Sequence, residues 1–103
     1  MKRSVIWSRD ALDDLKVQVA YIAAENPVAA QHIADVISDT AAALSEIPTG
    51  RPGRVTDTYE KSVTRLPYII VYAITGSADG ESIAILRVIH TARDWSAGQW
   101  PET

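Results

Sequence analysis

The chain has no cysteine in its 103 residues, which excludes disulfides and thiolate metal sites. It has no phenylalanine and a single methionine, so core bulk must come from Ile, Leu, Val, Trp and Tyr. Its two histidines, His32 and His90, are far apart and make a poor zinc site without thiolates. No metal and no cofactor is expected. No apolar run is long enough to span a bilayer. The basic start, Lys2 and Arg3, leads only into Val5, Ile6 and Trp7, too short for a signal-peptide core. A cytoplasmic location without membrane contact is therefore expected.

A dense basic stripe is also missing. The net charge is −3, and its distribution is uneven. Residues 8–47 set Arg9 and Lys16 against seven acidic side chains, a net of −5, whereas residues 50–93 set six basic against four acidic, a net of +2. Phosphate contacts dominate nucleic-acid affinity, so direct sequence-specific nucleic-acid binding is not expected. A composition of 47% hydrophobic and 22% charged residues is ordinary for a globular protein. At this length one domain is the default. It is placed at residues 1–95, with 96–103 as a C-terminal tail containing Gly98, Trp100 and Pro101.

Residues 4–7 read as a short strand. Ser8 suits a helix N-cap, with Asp10 in the first turn to favour the helix dipole. Leu12, Leu15, Val19 and Ile22 then recur at spacings of three and four, on one helical face. Asp13, Asp14, Lys16 and Gln18 fall largely off it. Asn26 caps a second helix and Pro27 suits its first turn. Ala30, Ile33, Ile37, Ala41 and Leu44 form that helix's apolar stripe, with Val36 and Ile47 flanking it. Pro48 and Gly50 end it. So short a connection predicts an antiparallel helical hairpin.

Residues 58–66 look like a polar strand. Residues 68–74 are nearly all apolar and read as a central strand buried on both faces. A hairpin loop over 75–81 leads to a last strand over 82–90. The expected fold is α+β: an N-terminal strand, then an antiparallel helical hairpin packed on a three- to four-stranded antiparallel sheet, with the first strand at an edge.

That order resembles the ParE/RelE superfamily of bacterial toxins from type II toxin–antitoxin modules. The opening from Ser8 to Leu15 is similar to that family, as is the link with Gly50, Arg51, Pro52, Gly53 and Arg54. The same holds for the strand with Pro67, Tyr68, Ile69, Ile70, Val71 and Tyr72, and for the one ending Arg87, Val88, Ile89, His90. The resemblance implies one of two activities. RelE-type members cut messenger RNA in the ribosomal A site. ParE-type members inhibit DNA gyrase and are not known as nucleases.

Metal-free RNA cleavage needs a base for the 2′-hydroxyl, a cation for the charged phosphorane and an acid for the leaving oxygen. RelE-type nucleases place an arginine on the central strand shortly before its tyrosine. Here that place holds Tyr68, Ile69 and Ile70. Arg51 and Arg54 in the link are too basic to accept a proton. If the chain is a nuclease, the candidate trio is Glu60, Arg65 and His90; otherwise no catalytic residue is expected.

The remaining candidates are contacts to a target or antitoxin: Arg51, Arg54, Arg87, His90, Arg93, Trp95 and Trp100. Each has a plainer reading. Arg51 and Arg54 could be solvated loop residues, and His90 could be bonded to nearby backbone. Arg87 is placed on the same side of its strand as Ile85 and Ile89, either paired with a carboxylate or at a sheet edge under a partner. Trp95 and Trp100 are either interface anchors or fold back over the sheet.

The expected function is that of the toxin in a type II toxin–antitoxin system, poisoning DNA gyrase by protein–protein contact. By the resemblance, it is neutralised in a hetero-oligomer by a cognate antitoxin, ParD-like or other, that folds on binding. The alternative is a ribosome-dependent mRNA endoribonuclease. A third reading keeps antitoxin binding without toxicity.

Overall fold

The computed structural model describes residues 3–77 and 80–91. In order they form β1 (Ser4–Trp7), α1 (Arg9–Ala23), α2 (Pro27–Ala43), β2 (Arg51–Pro52), β3 (Tyr59–Ser62), β4 (Tyr68–Ser77) and β5 (Gly80–His90). Both helix starts are where the capping residues put them. Ser8 accepts the Ala11 N–H at 3.0 Å. Asn26 accepts the Ala29 N–H at 3.0 Å, with Pro27 in the first turn. Each satisfies an otherwise orphaned donor, worth about 1 kcal/mol. No helix among the described residues is long and apolar enough to cross a membrane.

The two helices pack on a five-stranded sheet of order β1-β5-β4-β3-β2. The α+β class and the edge position of the first strand are as expected. Two details differ. β1 runs parallel to β5, while the other pairs are antiparallel, so the sheet is mixed. The fifth strand, β2, is two residues long, and one of them is proline. Two residues show no alternation, and proline donates nothing to a ladder.

The strand ends also shift. β4 and β5 run on into the expected loop, with Thr75 opposite Ser82 and Ser77 opposite Gly80. β3 stops at Ser62 because the chain turns there. The Val63 N–H donates to the Tyr68 carbonyl at 3.0 Å and the Leu66 N–H to the Val63 carbonyl at 3.2 Å. Arg65 takes φ 66° at this tip.

Residue alternation sorts the central strands onto two faces. Toward the helices point Tyr68, Ile70, Tyr72, Ile83, Ile85 and Val88, which form one buried cluster with Ala11, Ile37, Ala41 and Leu44. Each large aliphatic side chain buried there contributes about 1.5–3 kcal/mol. On the opposite face Ile69, Val71 and Ile89 form a second cluster, with Leu86 against it. The central strand is thus buried on both sides, as its unbroken apolar run predicts.

The stripe of α2 is the one read from the sequence, whereas α1 is rolled from its expected orientation. Its buried residues are Ala11 and Gln18, and Leu12 is 41% exposed. The cause is the attachment of α1 to β5.

Candidate functional site

β1 accompanies β5 only as far as Trp7, which lies opposite Ile85. Beyond it the start of α1 takes over the edge of β5. The Ser8 N–H donates to the Ile85 carbonyl at 2.9 Å and its hydroxyl to the Leu86 carbonyl at 3.0 Å. Asp14 then accepts the Val88 N–H at 3.0 Å and grips Arg87 with both oxygens, at 2.7 and 2.9 Å. Bidentate, charge-assisted geometry makes this a strong pair. It also fixes the roll of α1.

Arg87 therefore pairs with a carboxylate, the first of its two expected roles. It does not share a side with both Ile85 and Ile89. Val71 is opposite Arg87 but Tyr72 is opposite Ile85, so Leu86 is an extra residue on β5. This bulge shifts the alternation by one, leaving Ile85 under the helices and Ile89 on the other face.

Glu60 lies opposite Val71, which puts it on the face away from the helices. It is only 4% exposed because the link folds over it. Its Oε2 accepts the Arg54 N–H at 3.0 Å, and the Gly53 N–H donates to the Thr58 carbonyl at 2.8 Å to close that loop. Arg51 approaches Glu60 Oε1 only to 3.8 Å and is 66% exposed. A pair so open to water is worth at most about 1 kcal/mol, and most of the Arg51 surface remains available.

His90 lies opposite Tyr68 and meets its ring edge-on, with centroids 5.2 Å apart. Tyr68 belongs to the helix-side cluster, so His90 and Glu60 are on opposite faces of the sheet. Arg65 sits exposed at the turn between β3 and β4. The structure does not bring the trio Glu60, Arg65 and His90 together. Arg93, Trp95 and Trp100 lie outside the described residues. Among the described residues, no group of three or more His, Asp or Glu side chains could hold a metal ion.

One interaction was not read from the sequence. The Gly50 N–H donates to the Tyr72 hydroxyl at 2.9 Å, and Tyr72 stacks on Tyr59 with centroids 5.5 Å apart. Burial pushes the Tyr72 phenol above its ordinary value of 10.0, the Gly50 hydrogen bond opposes that, and Tyr59 adds to it. A Cβ on Gly50 would come within 2.5 Å of the Tyr72 oxygen and 2.9 Å of the Glu60 carbonyl. Only glycine lets the link pass here. The link's arginines are therefore presented from a fixed base.

A groove of about 530 Å³ runs between the second half of α2 and β3, lined by Val36, Ala43, Leu44 and Ile47 with Asp39 and Lys61 at its sides. Ile47 is 68% exposed beside it. Among the described residues β2 pairs only with Tyr59 and Glu60, so the edge of β3 runs on past it at Lys61 and Ser62.

A sequence model of the ParE toxin of the type II toxin–antitoxin system parDE matches residues 5–95. The protein Y4kP of Sinorhizobium fredii is 35% identical over 95 residues, 91% of this chain and 94% of that protein. Toxin RelE2 of Caulobacter vibrioides is 37% identical over 89 residues, 86% of this chain and 96% of that protein. Among solved structures, the chromosomal ParDE toxin–antitoxin system of P. aeruginosa has a chain similar in fold, with a TM-score of 0.76 at 22% identity, covering 86% of this chain and 96% of that one. The toxin–antitoxin complex RelBE2 of Mycobacterium tuberculosis gives a TM-score of 0.60 at 23% identity, covering 87% and 99%.

Proposed function

The chain belongs to the ParE toxin family of type II toxin–antitoxin systems, and from that premise we propose that it arrests growth by poisoning DNA gyrase through protein–protein contact. The observation that carries this reading is the separation of the titratable groups. Glu60 is on the face away from the helices with one oxygen already engaged by backbone, and His90 is on the other face. A general base and a general acid on opposite faces of one sheet are poorly placed to flank the same phosphate, which supports the contact reading. The side chains buried beside Glu60 on that face, Ile69, Val71 and Ile89, are aliphatic. Contact, unlike cleavage, needs only a presented surface. Arg51 and Arg54, carried on the link anchored by Gly50, supply one, with His90 and Arg93 as further candidates. Arg87, held by Asp14, serves mainly to position α1.

The antitoxin follows from the same premise, and the toxin–antitoxin assemblies of the P. aeruginosa and M. tuberculosis relatives support it. The groove beside α2 and the adjoining edge of β3 fit a segment that folds on binding. The domain proposed to carry both contacts is residues 1–95.

The second reading, a ribosome-dependent endoribonuclease, draws support from the relative named RelE2. The test is to incubate the purified protein with DNA gyrase, supercoiled plasmid and ATP, then remove protein and look for linear DNA. Linear product that requires both the toxin and gyrase is expected. Unchanged cleavage and supercoiling at saturating toxin would overturn the reading.

A further inference from the structure

Glu60 is the one buried carboxylate among the described residues. Burying such a group costs free energy that only good partners return. The side chains buried beside it are aliphatic, and an apolar residue there would serve the packing at least as well. The carboxylate therefore does something that the sheet does not require.

Both of its polar contacts go to the link. Oε2 accepts the Arg54 N–H at 3.0 Å, and Oε1 lies 3.8 Å from the Arg51 guanidinium. The ladder between β2 and β3 ends with Pro52 opposite Tyr59. Past it the link runs on as an exposed loop, residues 54–57, with Asp57 at φ 66°. Two backbone bonds close that loop on itself. The Gly53 N–H donates to the Thr58 carbonyl at 2.8 Å and the Thr58 N–H to the Val55 carbonyl at 3.1 Å. The Glu60 carboxylate ties the closed loop down to the sheet.

Neither guanidinium is used up by Glu60. Arg54 is held through its main chain, which leaves its side chain out of that bond. Arg51 is attracted from beyond hydrogen-bond distance and stays 66% exposed. Resting on the contact reading above, we infer that Glu60 is a positioning residue, which holds the link in the shape that presents Arg51 and Arg54 to the target. A surface fixed before it meets its partner loses less conformational freedom on binding. The carboxylate acts on the target only through the two arginines.

The test compares Glu60→Gln with Glu60→Ala in the full chain. Glutamine keeps an acceptor for the Arg54 N–H and alanine does not. In Glu60→Ala, hydrogen exchange at the Arg54 amide should speed up about tenfold, and in Glu60→Gln far less. The Val63 amide, bonded to Tyr68, should exchange as before in both, which shows the sheet intact. In the gyrase assay, Glu60→Ala should raise the toxin concentration for half-maximal linear DNA about tenfold, with the maximum unchanged and glutamine recovering most of the loss. Combined with Arg54→Ala, Glu60→Ala should cost much less than it does alone. An unchanged Arg54 amide in Glu60→Ala, a glutamine variant as impaired as alanine, or an equal cost in the two backgrounds would overturn the inference. The exchange measurement needs no target. No linear DNA from the unaltered toxin would therefore count against the gyrase reading, while exchange at Arg54 still decides the role of Glu60.

Discussion

The two faces of the sheet are buried by different means. The helix side draws on nearly every element, with side chains from α1, α2, β4 and β5 interlocked around Tyr72 and Ile70. The open side is a short aliphatic patch at one end only, beside a carboxylate fixed by the link. The helix side holds the domain together. The open side sets Ile69, Val71 and Ile89 beside the buried Glu60. The exposed Arg51 and Arg54 lie in and just after β2, at the edge of the same sheet.

The sharpest contrast is between matched isoleucines. Ile85→Ala, at 0% exposure under the helices, is expected to cost about 2–5 kcal/mol of unfolding free energy. Ile6→Ala, on the open face at its uncovered end, should change stability by no more than about 0.5 kcal/mol. Denaturant titration of both measures the difference, and equal losses would break the comparison. Ile89→Ala sharpens it: a loss in the range of Ile85→Ala means the open patch is as well packed as the core.

Asp14→Ala comes next. It removes the acceptor of the Val88 N–H and the carboxylate that grips Arg87, and about 1–3 kcal/mol should be lost. Amide exchange should rise along the edge of β5 past Ile85 more than in β3.

Tyr72→Phe removes the acceptor of the Gly50 N–H, at a cost of about 1 kcal/mol. It should also change the alkaline limb of the stability curve. The folded phenol holds its proton more tightly than the unfolded one, so its contribution is complete below the ordinary tyrosine value of 10.0 and is lost as pH rises beyond it through the raised folded value. The variant's stability should fall less steeply above that point. The smallest effect is a gain. Arg65→Gly relieves the φ of 66° and should stabilise by up to about 1 kcal/mol, read as a small rise in Tm.

Much of this arrangement was legible in local chemistry. Ser8 and Asn26 announced both helices, the stripe from Ala30 to Leu44 announced the buried side of α2, and the run from Tyr68 announced a strand with two covered faces. What escaped was set by contacts distant in sequence. The bulge at Leu86 reverses the alternation of β5, and nothing in an apolar run marks where an extra residue falls. Gln18 is buried because Asp14, reaching Arg87 across 73 positions, rolls α1 away from its most hydrophobic face. The trio Glu60, Arg65 and His90 could be written from the sequence, but register against β4 sends its two ends to opposite faces. Gly50 was legible as a helix stop, while its fit against Tyr72 appears only once the link has folded back.

The central claim is that this toxin acts by contact and does not cut RNA. The most direct measurement maps 3′ ends of a messenger RNA on programmed ribosomes with and without the purified toxin, at a concentration that arrests growth. The account predicts the same ends in both samples. A new end within the A-site codon that appears only with the toxin, and disappears in His90→Gln or Glu60→Gln, would contradict it.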